Sequence, residues 1–114
     1  MKALLVVALL AGVTGCKTIQ EIRSDGPIET YSSVKPEQDL SQCILFAWQD
    51  DALAGSQVNY QPRPGGGTTV FTQSFVVFAD VYPRDDKTKV EIFNVTRSKS
   101  FIVNRRIAGI KGCL

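Results

Sequence analysis

Histidine is absent from the sequence, and this absence removes much of enzyme chemistry from consideration. Histidine is the commonest general base in enzymes and the usual partner of a nucleophilic serine or cysteine. The serines form no Gly-x-Ser-x-Gly motif. The run Gly65-Gly66-Gly67 lacks the Lys-Ser/Thr pair of a phosphate-binding loop. The sequence therefore predicts no catalytic residue, and we expect a protein that is not an enzyme.

An excess of charge is also missing, since 13 Lys and Arg residues stand against 11 Asp and Glu residues. Without a run of basic residues, the chain has no electrostatic basis for binding nucleic acid. Structural zinc usually takes four Cys or His ligands, and the chain holds only three cysteines. We therefore expect no nucleic-acid partner, no metal and no cofactor.

No hydrophobic run is long enough to span a bilayer, which requires about 20 apolar residues as a helix. The N-terminus has Lys2, a short apolar run from Ala3 to Ala11, and small residues up to Gly15. These features are typical of a secretory signal, predicted here over residues 1–15. The alternative is a buried helix or strand of a cytosolic domain, but the run has no amphipathic period.

The segment Val13-Thr14-Gly15-Cys16 resembles the lipobox of bacterial lipoproteins, with Val13 where Leu is usual. The resemblance implies diacylglycerol on the Cys16 sulfur, cleavage after Gly15 and acylation of the new amino terminus. Two or more acyl chains hold a protein stably to a membrane. In a didermal host, Lys17 rather than Asp after the lipidated cysteine implies the outer membrane, facing the periplasm.

Lipid on Cys16 would leave Cys43 and Cys113 in a compartment that permits disulfides. An internal disulfide between them would stabilise the fold by about 4 kcal/mol in the chain-entropy model. Two free buried thiols and an intermolecular bridge remain as alternatives.

The chain after the signal divides into a polar segment, residues 16–34, and a domain, residues 35–114. We interpret residues 16–34 as a tether with a candidate strand at residues 28–31; it could extend the domain away from the membrane or wrap it. Residues 36–53 have apolar residues at helical spacing, with Gly55 as a candidate stop. The apolar positions are Leu40, Cys43, Ile44, Ala47 and Trp48.

Strand patterns follow the helix. Candidate strands are residues 57–61, 68–71, 75–82, 88–96 and 98–104, and residues 62–67 and 83–87 have turn composition. Residues 75–82 and 88–96 form the predicted hairpin, with a five-residue turn between them. Residues 105–114 are predicted as a short helix that brings Cys113 to the first helix. This pattern predicts an α+β fold: one N-terminal helix on an antiparallel sheet of about four strands, with one disulfide.

The mature chain also resembles a loose group of small uncharacterised lipoproteins of didermal bacteria. The shared pattern is Cys43-Ile44 and Trp48 on an early helix, a glycine turn entering a strand from Gly67 to Val70, and Cys113 near the end. This resemblance implies the same fold and the disulfide between Cys43 and Cys113. It implies no activity.

Function is therefore predicted at the level of a class. We expect a lipid-anchored, non-enzymatic envelope lipoprotein, anchored through Cys16, that binds an envelope protein or cell-wall component. The alternative is an inhibitor or immunity protein that blocks a secreted or periplasmic enzyme, with the loop at residues 62–67 as its candidate contact. Arg105 and Arg106 are interpreted as solvated charges, with an anionic lipid or glycan as the other possibility.

Overall fold

The computed structural model describes residues 18–51, 57–72 and 77–114. In chain order the elements are α1 (Ile19–Ser24), β1 (Glu29–Ser33), α2 (Glu37–Asp50), β2 (Val58–Pro62), β3 (Thr68–Thr72), β4 (Val77–Arg84), β5 (Lys87–Asn94) and α3 (Phe101–Lys111). The strands form one antiparallel sheet in the order β1-β5-β4-β3-β2. The predicted α+β class is confirmed, with five strands rather than about four and one helix, α1, beyond the two that were predicted.

One face of the sheet, here called the α2 face, packs against α2 and α3 and holds the main hydrophobic core. Successive strand residues point to opposite faces. The sheet presents Val70, Ala79, Val81, Val90 and Ile92 to the helices. The helices pack against them with apolar residues spaced three or four positions apart: Leu40, Ile44 and Trp48 from α2, and Val103, Ile107 and Ile110 from α3.

The other face, here called the α1 face, carries a second and smaller cluster. Phe78 and Phe93 are buried there beneath Ile22 of α1. Their rings stack with centroids 4.9 Å apart. Because α1 has only six residues, it covers part of this face, and no other helix of the described residues lies over the rest.

The segment predicted as a tether is folded from Thr18 onward and wraps the domain. Thr18 caps α1 by accepting a hydrogen bond from the Glu21 N–H, and Ile22 is buried. The following strand β1 pairs along its whole length with β5. The domain therefore begins before residue 35. The signal at residues 1–15 and Cys16 lie outside the described residues.

The predicted helix at residues 36–53 is observed as Glu37–Asp50, with Pro36 at the N-cap position. Leu53 and Gly55 lie outside the described residues. Asp50 is the last residue of this helix, and Asp51 is its C-cap.

The turn between β4 and β5 is shorter than predicted. Asp85 and Asp86 both adopt positive φ angles, of 50° and 59°, and Arg84 pairs directly with Lys87. Such a two-residue turn matches the right-handed twist of the flanking strands. Aspartate tolerates the left-handed conformation better than most residues, so the strands extend through Pro83 and Lys87. The predicted hairpin is confirmed, whereas the predicted turn length of five residues was wrong.

The predicted strand at residues 98–104 is also wrong. The Ser100 hydroxyl accepts a hydrogen bond from the Val103 N–H, and this cap begins α3 at Phe101. The C-terminal helix predicted from residue 105 is confirmed and begins earlier than expected. Its apolar spacing, Val103, Ile107 and Ile110, overrides the strand preference of the first residues.

The disulfide between Cys43 and Cys113 is present. Their Cα atoms lie 5.8 Å apart, and 70 positions separate them in the sequence. The bond joins the middle of α2 to the residues just after α3. Within the described ranges, no helix is long and apolar enough to cross a membrane.

Candidate binding surface

The α1 face is graded along its strands from aromatic, through acidic, to basic side chains. Pairing across the sheet places residues of adjacent strands in rows. The first row is aromatic and lies beneath α1: Phe71, Phe78 and Phe93. The second row carries Asp80 and Glu91, the third carries Tyr82, Lys89 and Ser32, and the last carries Arg84 and Lys87.

Asp80 is the most enclosed charge of the α1 face, with 1% of its surface exposed. Arg23 of α1 donates two hydrogen bonds to its carboxylate, at 2.8 and 3.0 Å. The Thr69 hydroxyl donates a third, at 2.6 Å. Arg63 approaches the same carboxylate, with its Nε 3.6 Å from Oδ2. These bonds satisfy a buried charge and fix α1 to the sheet.

Tyr82 continues this network to the neighbouring strand. Its hydroxyl donates a hydrogen bond to the Glu91 carboxylate. Burial, with that hydrogen bond and the negative charge of Glu91, raises the pKa of Tyr82 above its ordinary value. The Arg63 guanidinium lies over the Tyr82 ring, 3.9 Å from its centroid. Both carboxylates of the second row therefore have hydrogen-bond partners within the protein: Arg23 and Thr69 for Asp80, and Tyr82 for Glu91.

Three cations of the last two rows have no such carboxylate partner, although Arg84 lies close enough to the Tyr82 hydroxyl to oppose the rise in the Tyr82 pKa. Arg84, Lys87 and Lys89 have no carboxylate within 4.0 Å in the part of the chain that the structure describes. Together with Ser32 they line a shallow depression of about 340 Å³, which Asp85 borders at the turn. We call Arg84, Lys87, Lys89 and Ser32 the basic surface.

A second depression, of about 500 Å³, lies between α2 and α3. Its charged residues pair with each other, because Arg105 Nε donates to both oxygens of Asp51, at 3.0 and 3.1 Å. This bond lowers the pKa of Asp51 from its ordinary value. Asp50 also lines this depression and has no cation within 4.0 Å among the described residues, so the charge left unpaired here is negative, whereas on the basic surface it is positive.

The glycine loop between β2 and β3 is a compact turn. The Arg63 N–H donates to the Gly67 carbonyl at 2.9 Å, and Arg63 Nη1 donates to the Gly66 carbonyl at 3.0 Å. Gly67 has φ +94°, and a Cβ there would lie 2.3 Å from the Val81 carbonyl oxygen. The turn is thus held against β4 rather than extended from the domain.

Among the basic residues considered from sequence, Arg105 and Arg106 behave differently from the prediction. Arg105 is paired with Asp51, and Arg106 is fully buried. Arg106 Nη1 donates to the Trp48 carbonyl at 2.8 Å, and Trp48 Nε1 donates to the Arg106 carbonyl at 3.0 Å. Burial lowers the pKa of Arg106. The interpretation of Arg106 as a solvated charge was wrong, while Trp48 is a core residue as its spacing indicates.

Ser32 and Lys35 have the Ser-x-x-Lys spacing found in some serine hydrolases, but they do not form a catalytic pair. Ser32 lies in β1 on the α1 face, whereas Lys35 Nζ donates to the Cys113 carbonyl. Over the described ranges, no cluster of His, Cys, Asp and Glu could hold a metal ion.

The basic surface was not identified from sequence as a site. Its only sequence signal is the alternation of Lys87 and Lys89 with Thr88 and Val90, which also describes an ordinary exposed strand face. No protein-family model, curated protein or solved structure matches the chain.

Proposed function

We propose that the protein is a lipid-anchored, non-enzymatic binding module of the bacterial envelope. In this proposal Cys16 carries the lipid, the domain faces the periplasm from the outer membrane, and the basic surface binds an anionic envelope component. The observation that carries the proposal is the set of three cations, Arg84, Lys87 and Lys89, which line one depression beside α1 and have no ion-pair partner among the described residues.

The clustering of these cations supports this assignment. Lys111 of α3 also has no carboxylate within 4.0 Å in the described part of the chain, but Arg84, Lys87 and Lys89 share one depression. Arg23, Arg105 and Lys99 each pair with a carboxylate of their own chain. The basic surface stands on paired strands β4 and β5, which hold its side chains at fixed spacing. Cations placed this way attract a negatively charged partner and orient it on the sheet.

An inhibitor or immunity function is the less favoured proposal. It would need the β2–β3 turn to enter the active site of an enzyme. The turn is closed by the hydrogen bond between Arg63 and Gly67 and lies against β4. The unpaired charge lies on the strands instead, so the sheet surface is the better candidate for contact.

Lysine reactivity in the native envelope tests this proposal. Envelopes from a didermal host that expresses the full chain are treated with a water-soluble acylating reagent, and the same chain is treated after purification in detergent. We expect Lys87 and Lys89 to react less in the envelope than in detergent, because a bound partner covers them. Lys111, exposed on α3 at the opposite side of the sheet, is the internal control. Equal reactivity of Lys87, Lys89 and Lys111 in both samples would contradict the proposal.

A further inference from the structure

We propose that the basic surface contacts the anionic headgroups of the membrane that anchors the chain, so that the α1 face lies against the bilayer. This inference rests on the proposed function, because it requires a lipid on Cys16. It names the partner as the lipid surface itself rather than a protein or a free anion.

The position of the first described residue, Thr18, supports this orientation. Thr18 caps α1, and Cys16 lies two positions earlier in the sequence. Consecutive Cα atoms are about 3.8 Å apart, so two residues of chain allow at most about 8 Å between a lipidated Cys16 and Thr18, the N-cap of α1. Ile22 and Arg23 hold α1 on the sheet through the aromatic cluster and Asp80. The anchor is therefore attached to the helix of the α1 face, while α2 and α3 lie behind the sheet.

The basic surface lies beside α1 on the same face. Six positions along β4 separate Phe78, beneath α1, from Arg84, which corresponds to roughly 20 Å of strand. A bilayer that meets α1 can therefore also meet Arg84, Lys87 and Lys89. Each Lys or Arg near an anionic membrane strengthens association about fivefold.

The exposed negative charges of this face lie at its two ends, with Glu21 on α1 and with Asp85 and Asp86 at the β4–β5 turn. Asp80 and Glu91 are engaged by Arg23 and Tyr82. Asp85 and Asp86 are exposed at the turn, next to the basic surface. They should weaken the attraction to anionic lipid, so replacing them tests whether the contact is electrostatic.

Lysine labelling on defined vesicles tests the inference. The full chain is extracted from the membranes of a didermal host and reconstituted into vesicles of phosphatidylcholine, or of phosphatidylcholine with phosphatidylglycerol. We expect the reactivity of Lys87 and Lys89 to fall by at least about fivefold when phosphatidylglycerol is present, since one cation alone strengthens the contact by about that factor, and to recover in high salt, which screens the attraction. Lys111 should react equally in both.

The outcomes separate this inference from the function on which it rests. A chain that does not remain on neutral vesicles has no anchor, which overturns the proposed function and the inference with it. A chain that remains on the vesicles while Lys87 and Lys89 react equally in both lipid compositions overturns the inference alone. Equal protection by inorganic phosphate in detergent would assign the surface to a small anion and would also overturn it.

Removing the turn carboxylates gives a second, independent result. In Asp85→Asn/Asp86→Asn, asparagine tolerates the positive φ angles of the turn. We expect stronger protection of Lys87 and Lys89 on phosphatidylglycerol vesicles than in the wild type. Unchanged protection in this variant would overturn the electrostatic basis of the contact.

Discussion

Asp80 shows how individual residues determine where α1 lies. The carboxylate is buried, whereas Arg23 and Arg63 keep 17% and 23% of their side chains exposed. Replacing an arginine therefore leaves a buried carboxylate, whereas replacing Asp80 leaves two partly exposed arginines. A buried carboxylate without its main partner is costly, while an arginine near the surface can turn toward water.

We predict that Arg23→Leu destabilises the protein more than Asp80→Asn. Arg23→Leu leaves the Asp80 charge buried and should lower the free energy of unfolding by about 3 kcal/mol. Asp80→Asn removes the charge and leaves two partly exposed arginines, at a cost of about 1.5 kcal/mol. Urea unfolding of both variants measures the difference, with Asp85→Asn at the exposed turn as the control. The reverse order of the two losses would contradict the burial argument.

The glycines of the β2–β3 turn give a second residue-scale prediction. Gly66 and Gly67 both have positive φ, but only Gly67 lies against β4. Gly66→Ala should cost about 1 kcal/mol from backbone strain alone. Gly67→Ala adds a contact of 2.3 Å with the Val81 carbonyl oxygen and should cost clearly more. Thermal unfolding of the two variants, side by side, measures this, and equal melting temperatures would exclude the close approach.

At the scale of elements, the disulfide joins α2 to the end of α3 across a large part of the chain. We predict that Cys43→Ala/Cys113→Ala lowers the free energy of unfolding by about 4 kcal/mol, because the unfolded chain is no longer restricted. Urea unfolding measures the loss. Adding a thiol reductant should bring the wild type to the level of the variant and leave the variant unchanged. A wild type that is insensitive to reductant would contradict the prediction.

The contact between Asp51 and Arg105 links the end of α2 to α3 and should respond to pH. The hydrogen bond from Arg105 lowers the pKa of Asp51 below its ordinary value of 3.8. A lowered folded-state pKa contributes stability above the unfolded-state value, and this stability is lost as the pH falls through the folded-state pKa. Asp51→Asn should therefore be less stable than the wild type at neutral pH, and the difference should disappear in acid. Urea unfolding across this pH range measures it; a difference that persists in acid would exclude the ion pair as its cause.

Elements with a long apolar period were predictable from the sequence, and the short ones were less so. The spacing of Leu40, Ile44 and Trp48 identified α2 because burial of one helical face dominates its stability. Residues 18–24 carry few apolar residues, and α1 depends on Asp80 and Phe78, which lie far along the chain. Residues 98–104 contain β-branched and aromatic side chains, but the Ser100 cap and the burial of Val103 favour a helix. Local preference was overridden by tertiary contact in both places.

At the scale of the whole molecule, the sheet separates two roles. The α2 face supplies the hydrophobic core and the disulfide, and the α1 face carries α1 and the basic surface. The strand alternation of Lys87 and Lys89 was visible in the sequence. Their lack of partners was not, because it depends on which carboxylates Arg23, Tyr82 and Arg105 engage in three dimensions. Arg106 shows the same limit, since adjacent arginines in one helix differ completely in exposure.

The central claim is that lipid on Cys16 holds this domain to a membrane, and intact mass measured together with membrane partition tests it most directly. Wild type and Cys16→Ser are expressed as full chains in a didermal host and compared. We predict a wild type that has lost residues 1–15, has gained the mass of acyl groups and needs detergent for extraction, whereas Cys16→Ser retains its leader and gains no lipid mass. A wild type with the mass of the unmodified chain that is recovered without detergent would contradict the account.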